Sequence, residues 1–335
     1  MTTSTSDSTS VPVARSGVPV TPPGPPGTRA AGLEIGLFLL VTFSLTAAST
    51  VVALREGVDV RHIADASATG QAAMYLQALW PAVGTLVARL ATRTRGPRGG
   101  LGFRRVPLRT LLRAWAFAAL LTSAPAVLVW GTGLGGFDPT GSAAALGLGT
   151  VPGGAVLAAV VVLLVLPLPY LLLALGEDVG WRGLLVTRLA ETTGPWGVVM
   201  ISGAAWAVFH LPLLLWLGGT PAGAPTWWAA TMFAVGIVAV GVPLAWMQLR
   251  WGIWPGVVAH AVMNAILYHL TDPATVDTGR TGWFATESGL AMAVGATLVA
   301  LLWWRRAPLL LTAGGGVQAG LRQDRRRRAR QEHAA

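Results

Sequence analysis

The 335-residue chain contains no cysteine, and because all 24 of its basic residues are arginine it contains no lysine either. The first absence excludes disulfides and thiolate metal sites. Charge of any sign is scarce: 11% of residues are charged, against about 25% in an ordinary soluble domain. That scarcity excludes a conventional water-soluble fold. A formal net charge of +10 would suit a nucleic-acid partner if the arginines formed one patch. They fall instead in alternate links between apolar runs, the distribution that orients a membrane protein, so no nucleic acid is expected.

What the chain has is hydrocarbon. Hydrophobic residues make up 53% of it, with a mean hydropathy of +0.59. Runs of about 18 or more apolar residues with few charges are the mark of transmembrane helices. Such runs lie at 31–54, 72–91, 110–130, 154–175, 196–217, 227–247, 253–270 and 288–304. The expected fold class is therefore all-α: a polytopic transmembrane helical bundle of about eight spans. Residues 1–30, rich in Ser, Thr, Pro and Gly, read as a disordered tail. Residues 31–305 form the transmembrane domain, and 306–335 an Arg-rich tail suited to anionic lipid.

The links alternate in charge. Arg89, Arg93, Arg95, Arg98, Arg104, Arg105 and Arg109 flank or fill the link after the second run; Arg182 and Arg188 follow the fourth, Arg250 the sixth, and Arg305 and Arg306 the eighth. The other links carry near-balanced or acidic charge, as with Asp138, Asp272 and Asp277. Arg-rich links mark the cytoplasmic side, which predicts a multi-pass protein of the cell membrane with both termini cytoplasmic.

Ionisable side chains in apolar spans cost roughly 2.5–3.5 kcal/mol each at the helix centre, so those present are functional candidates. They are Glu34, Glu177, Asp178, His210, His260 and His269, joined by the amide of Asn264. Glu34 and His269 read as structural. Glu177 and Asp178 follow a run disturbed by Pro167 and Pro169, and Arg182 stands four residues after Asp178, facing it across one helical turn. Arg182 would hold Asp178 and leave Glu177 free as a proton acceptor. Trp206 precedes His210 by four, and Pro212 follows it. His260 and Asn264, also four apart, share a helical face and can aim two donors at one point, as an oxyanion site requires. Together these residues can activate water and stabilise a tetrahedral intermediate. Zinc held by Glu177, His210 and His260 is a second reading, since two imidazoles and a carboxylate suit a catalytic zinc. A proton-coupled transporter using the same groups as a relay is a third.

The order Glu177-Asp178-x-x-x-Arg182, Trp206-x-x-x-His210, His260-x-x-x-Asn264, spread over 171–270, resembles the CPBP family of intramembrane proteases, which includes the type II CAAX prenyl endopeptidases and Abi-like proteins. Two positions depart from that family's pattern: Asp178 stands where a second Glu is usual, and Trp206 where Phe is usual. The resemblance implies a catalytic core at about 154–270 that hydrolyses a peptide bond of a protein or peptide substrate near the cytoplasmic membrane face. It implies Glu177 as general base, His210 positioning the water, His260 and Asn264 stabilising the oxyanion, and Asp178, Arg182 and Trp206 in support. It also admits a non-catalytic member acting as an immunity or scaffold protein.

Overall fold

The computed structural model describes residues 26–93 and 100–306. The tails expected at 1–30 and 306–335 lie outside the described residues, save for their junctions with the first and last helices.

The long apolar runs become helices because a chain in hydrocarbon must satisfy its backbone polar groups internally. In order they are α1 (Pro26–Arg55), α2 (Ala68–Gln77), α3 (Trp80–Thr92), α4 (Leu108–Gly131), α5 (Pro139–Ala145), α6 (Gly154–Leu164), α7 (Pro167–Asp178), α8 (Thr187–Thr192), α9 (Pro195–Trp216), α10 (Thr226–Trp251), α11 (Ile253–Ile266), α12 (Thr281–Phe284) and α13 (Leu290–Trp304). The fold is an all-α helical bundle. Among the described residues, strand is confined to an antiparallel pair, β1 (Gly136–Phe137) with β2 (Thr275–Val276), which clips the end of α4 to the segment after α11. Leu40, Leu112, Leu120, Leu128, Val156 and Leu172 stand exposed on the outside, which suits side chains whose solvent is lipid.

Every one of the eight expected runs is helical, but two are not single long spans. Six helical stretches among the described residues are long and apolar enough to cross a membrane: Arg29–Arg55, Leu108–Gly131, Gly154–Thr192, Pro195–Trp216, Thr226–Trp251 and Ile253–Thr271. The second run is broken between α2 and α3, where Pro81 enters the first turn of α3 and cannot donate to the preceding helix. The eighth run, α13, has 15 residues.

The fourth run departs furthest from expectation. The acid pair and Arg182 were expected at a helix end, with Arg182 and Arg188 in a cytoplasmic link. The chain instead continues from α7 through a π-helical stretch, Val179–Val186, into α8. Gly176 and Gly180 allow this stretch to press against the α2–α3 break. A side chain on Gly180 would meet Pro81 Cβ at 2.5 Å and Phe38 Cε2 at 2.7 Å, and one on Gly176 would meet the Ala78 carbonyl oxygen at 2.6 Å. Arg182 and Arg188 are accordingly buried. Glu34, expected to be isolated, is fully buried on α1 and pairs with Arg89 of α3 at 2.7 Å and with Arg188 of α8. Arg188 also reaches Glu191 at 2.8 Å. This charged cluster ties α1, α3 and α8 together, so Arg89 and Arg188 are buried partners and not residues of an exposed link. Its structural role agrees with the reading of Glu34 from sequence. His269 likewise has a packing partner, the Tyr170 hydroxyl at 3.0 Å.

Candidate active site

Four elements bring their polar side chains to one cavity of about 180 Å³ inside the bundle. A volume of that size holds several waters. α7 supplies Glu177, α9 supplies Trp206 and His210, and α11 supplies His260 and Asn264; Gln77 at the end of α2 lines it too. The remaining wall is largely apolar, as at Phe209, Phe233 and Met263.

Glu177 is nearly buried, at 7% exposure, and its Oε2 accepts a 2.9 Å hydrogen bond from Trp206 Nε1. His210 Nε2 lies 3.8 Å from the same oxygen, beyond direct hydrogen bonding. The other nitrogen of that ring, Nδ1, sits 3.0 Å from the Trp206 carbonyl oxygen. A carbonyl can only accept, so Nδ1 carries the hydrogen and Nε2 of the neutral ring presents a lone pair. Glu177 Oε2 and His210 Nε2 are thus two acceptors facing each other across the cavity floor. Such a pair suits a molecule with two O–H donors, which is water.

Asp178, the next residue along α7, is fully buried. Its Oδ1 accepts from Arg182 Nη1 at 2.8 Å and lies 3.4 Å from His260 Nδ1. The Arg182 guanidinium in turn stacks on Trp206, 3.5 Å from the ring centroid, a geometry that stabilises a desolvated cation. Trp206 also meets the edge of His260, with ring centroids 5.4 Å apart. Asp178 and Arg182 therefore orient His260 from behind, and its Nε2 is left toward the cavity. Asn264, one turn further along α11, lines the same space.

All seven residues singled out from sequence meet here. Because the helix continues past Asp178, Glu177 is mid-helix and reaches the same depth as His210. The cavity also lies nearer the Arg-poor end of the bundle than the Arg-rich end expected. His210 stands one and a half turns before the end of α9, and Phe233 two turns into α10.

Two titratable cavity residues, Tyr268 and Glu287, escaped the sequence reading. Tyr268 continues the His260, Asn264 stripe at the same spacing of four, which was a usable signal. Glu287 lies in the link before α13 and lines the cavity; a lone acid at the edge of an apolar run was its only trace. The zinc alternative does not fit the donors. Among the described residues no group of three or more His, Asp or Glu side chains could hold a metal ion.

A polytopic helical bundle enclosing a polar, water-sized cavity is the architecture of an intramembrane enzyme or carrier. Comparison with known families points toward a peptidase. Residues 159–266 match the family described as "Type II CAAX prenyl endopeptidase Rce1-like", and this match supports assignment of the chain to the CPBP family and to the CAAX-protease-like membrane endopeptidases. The matched segment contains all seven residues from Glu177 to Asn264 and excludes Tyr268 and Glu287. No curated protein matches the chain.

Proposed function

We propose that the protein is an intramembrane endopeptidase that cleaves a peptide bond with a water activated by Glu177 and His210. The observation that carries this reading is the pair of facing acceptors, Glu177 Oε2 and His210 Nε2, 3.8 Å apart. A water held by both gives one O–H to each and keeps a lone pair for the substrate carbonyl carbon. As the oxygen attacks, one of its protons passes to the Glu177–His210 pair. The carbonyl oxygen becomes an alkoxide, which accepts hydrogen bonds from the Asn264 amide and from His260 Nε2–H. The carboxylate of Asp178, 3.4 Å from His260 Nδ1, holds the ring that supplies that second donor. Collapse then breaks the C–N bond, and the departing nitrogen leaves as an amine once it has taken up a proton.

The substrate is a protein or peptide segment that can enter an apolar-walled cavity from lipid. Both termini lie on the cytoplasmic side, on the strength of Arg93, Arg104, Arg105, Arg109, Arg250 and Arg305 at one end of the bundle against Asp138, Asp272 and Asp277 at the other.

The test is cleavage of a library of apolar peptides in proteoliposomes by the parent, Glu177→Gln and His260→Ala, each checked for monodispersity. The base variant should lose about 10²–10⁴-fold. Full activity in both variants overturns the proposal. Solute uptake into sealed vesicles with no cleavage by the parent would establish a carrier instead.

A further inference from the structure

Peptide hydrolysis needs a proton for the departing nitrogen, and the cavity contains a carboxyl group that the mechanism above does not use. Glu287 sits in the link between α12 and α13 and borders the same space as Glu177, His210, His260 and Asn264. Its Oε2 accepts a hydrogen bond from the Tyr268 hydroxyl at 3.3 Å. Tyr268 in turn is one helical turn beyond Asn264 and two beyond His260 on the same stripe.

The backbone that delivers Glu287 is unusual. Thr286 has φ +67°, and a β-branched residue in the left-handed region is a costly outlier, typically kept where function demands it. The Thr286 hydroxyl accepts from the backbone N–H of Ser288 at 3.3 Å, locking the bend. The next residues leave no slack: a side chain on Gly289 would strike the Ala285 carbonyl oxygen at 2.0 Å. A tight, strained bend thus turns a carboxyl group into a cavity whose wall is otherwise largely apolar.

We infer that Glu287 is a further catalytic residue, the general acid that protonates the departing nitrogen, and that Tyr268 positions it. The inference rests on the endopeptidase reading. As the tetrahedral intermediate collapses, the C–N electron pair goes to nitrogen and takes the proton from Glu287, leaving its carboxylate. The proton that water gave to the Glu177–His210 pair then returns to Glu287 through the cavity water. Peptide and water become carboxylic acid and amine, and both carboxyl groups end as they began.

Burial pushes Glu287 up to about 7, with the Glu177 carboxylate adding to the rise and the Tyr268 bond and His260 opposing it. It therefore retains its proton near neutrality, as a donor must. The titratable groups facing it are Glu177 from α7, His210 from α9, His260 and Tyr268 from α11 and its continuation, and Asp272 just beyond. Among the described residues, α2, α10 and α13 add no ionisable side chain to the cavity wall.

The experiment compares an amide with an ester that needs no acid. A peptide cleaved by the parent, and its p-nitrophenyl ester counterpart, are assayed with parent, Glu287→Gln, Glu287→Asp and Tyr268→Phe. Glu287→Gln should cut amide cleavage about a hundredfold while sparing the ester, and the decline of the parent amide rate above about pH 7 should vanish. Glu287→Asp should recover part of the loss, and Tyr268→Phe should lower the amide rate less than Glu287→Gln does. Equal loss on both substrates, or no loss on the amide, overturns the assignment. A parent inactive on both would refute the endopeptidase reading itself, and Glu177→Gln, impaired on both substrates, separates the two failures.

Discussion

Trp206 donates its indole N–H to Glu177 Oε2 at 2.9 Å while its ring face carries the Arg182 guanidinium. One side chain therefore fixes both the carboxylate that faces the cavity and the cation behind it. The indole nitrogen is what a phenylalanine in the same position would lack.

Replacing Trp206 by Phe keeps the aromatic face and removes that hydrogen bond. A bond to a charged acceptor is worth about 1.5–3 kcal/mol, so activity should fall about tenfold or more. Trp206→Ala also strips the stacking partner of Arg182 and should fall further. Steady-state cleavage rates on one apolar peptide, with thermal unfolding alongside, check the order. A Trp206→Phe enzyme as active as the parent would remove the indole from the account.

Asn264 lines the cavity one turn from His260, and its assigned work is confined to the developing oxyanion. Asn264→Ala should lower kcat about 10²–10³-fold with KM little changed, the signature of a group that acts in the transition state. Combined with His260→Ala, the losses should be less than additive, because both serve one oxygen. A rise in KM at constant kcat would make Asn264 a substrate-binding residue.

The Glu34, Arg89 and Arg188 cluster makes a stability prediction with no catalytic component. Glu34→Gln would take the buried carboxylate away from Arg89 and Arg188, leaving the Arg188–Glu191 pair in place, and breaking a buried pair in this way costs about 3–5 kcal/mol. The variant should unfold at markedly lower temperature, while the fraction that remains folded cleaves at the parent rate. Substituting all three by Met or Leu should recover most of the loss. An unchanged unfolding temperature in Glu34→Gln would mean that water reaches the cluster.

How far these features were readable in the sequence depends on how local they are. Asp178 with Arg182 and His260 with Asn264 are pairs four apart on one helix, so helical geometry alone brings them together and spacing reveals them. The apolar runs were legible for the same reason. Glu34 was not: its partners come from helices 55 and 154 residues further along the chain, and arginines that pair in the interior look in sequence like those that mark a cytoplasmic link. The continuation of α7 through Arg182 was hidden likewise, since glycines at 176 and 180 suggest a link until one sees that the first admits Ala78 and the second Pro81 and Phe38. Glu287 lies in a short link whose direction is set by a strained bend, and no periodicity reports on that.

Two raised carboxyl groups near the Arg-poor end give the fold a pH dependence of definite sign. Burial pushes Asp272 up to about 8, with the Glu287 charge adding to it, and Glu287 to about 7. In the unfolded chain both release their protons near the ordinary carboxyl range of about 4. Across that interval the folded protein binds more protons than the unfolded one, so stability falls as pH rises. The unfolding temperature in detergent should therefore decline from about pH 5 and level off above about pH 8. Asp272→Asn should flatten the upper part of that decline, and a parent whose stability rises over the same range contradicts the buried, protonated state.

The absence of cysteine makes the orientation directly measurable, because any single introduced thiol is the only one present. Asp277 lies in the exposed segment after β2, and Arg250 near the end of α10 is also exposed. These positions belong to opposite ends of the bundle, since α11 runs between them. With both termini cytoplasmic, a membrane-impermeant maleimide added to intact cells should label Asp277→Cys and should label Arg250→Cys only after permeabilisation. The cavity adds a second expectation. Leu213 lines it, three residues before the end of α9, and this helix end is the one remote from Arg250. Leu213→Cys should react from the same side as Asp277→Cys, but more slowly because it is partly buried. The opposite labelling of Asp277→Cys and Arg250→Cys would invert the topology, and Leu213→Cys reacting only with Arg250→Cys would mean that the cavity opens at the Arg-rich end after all.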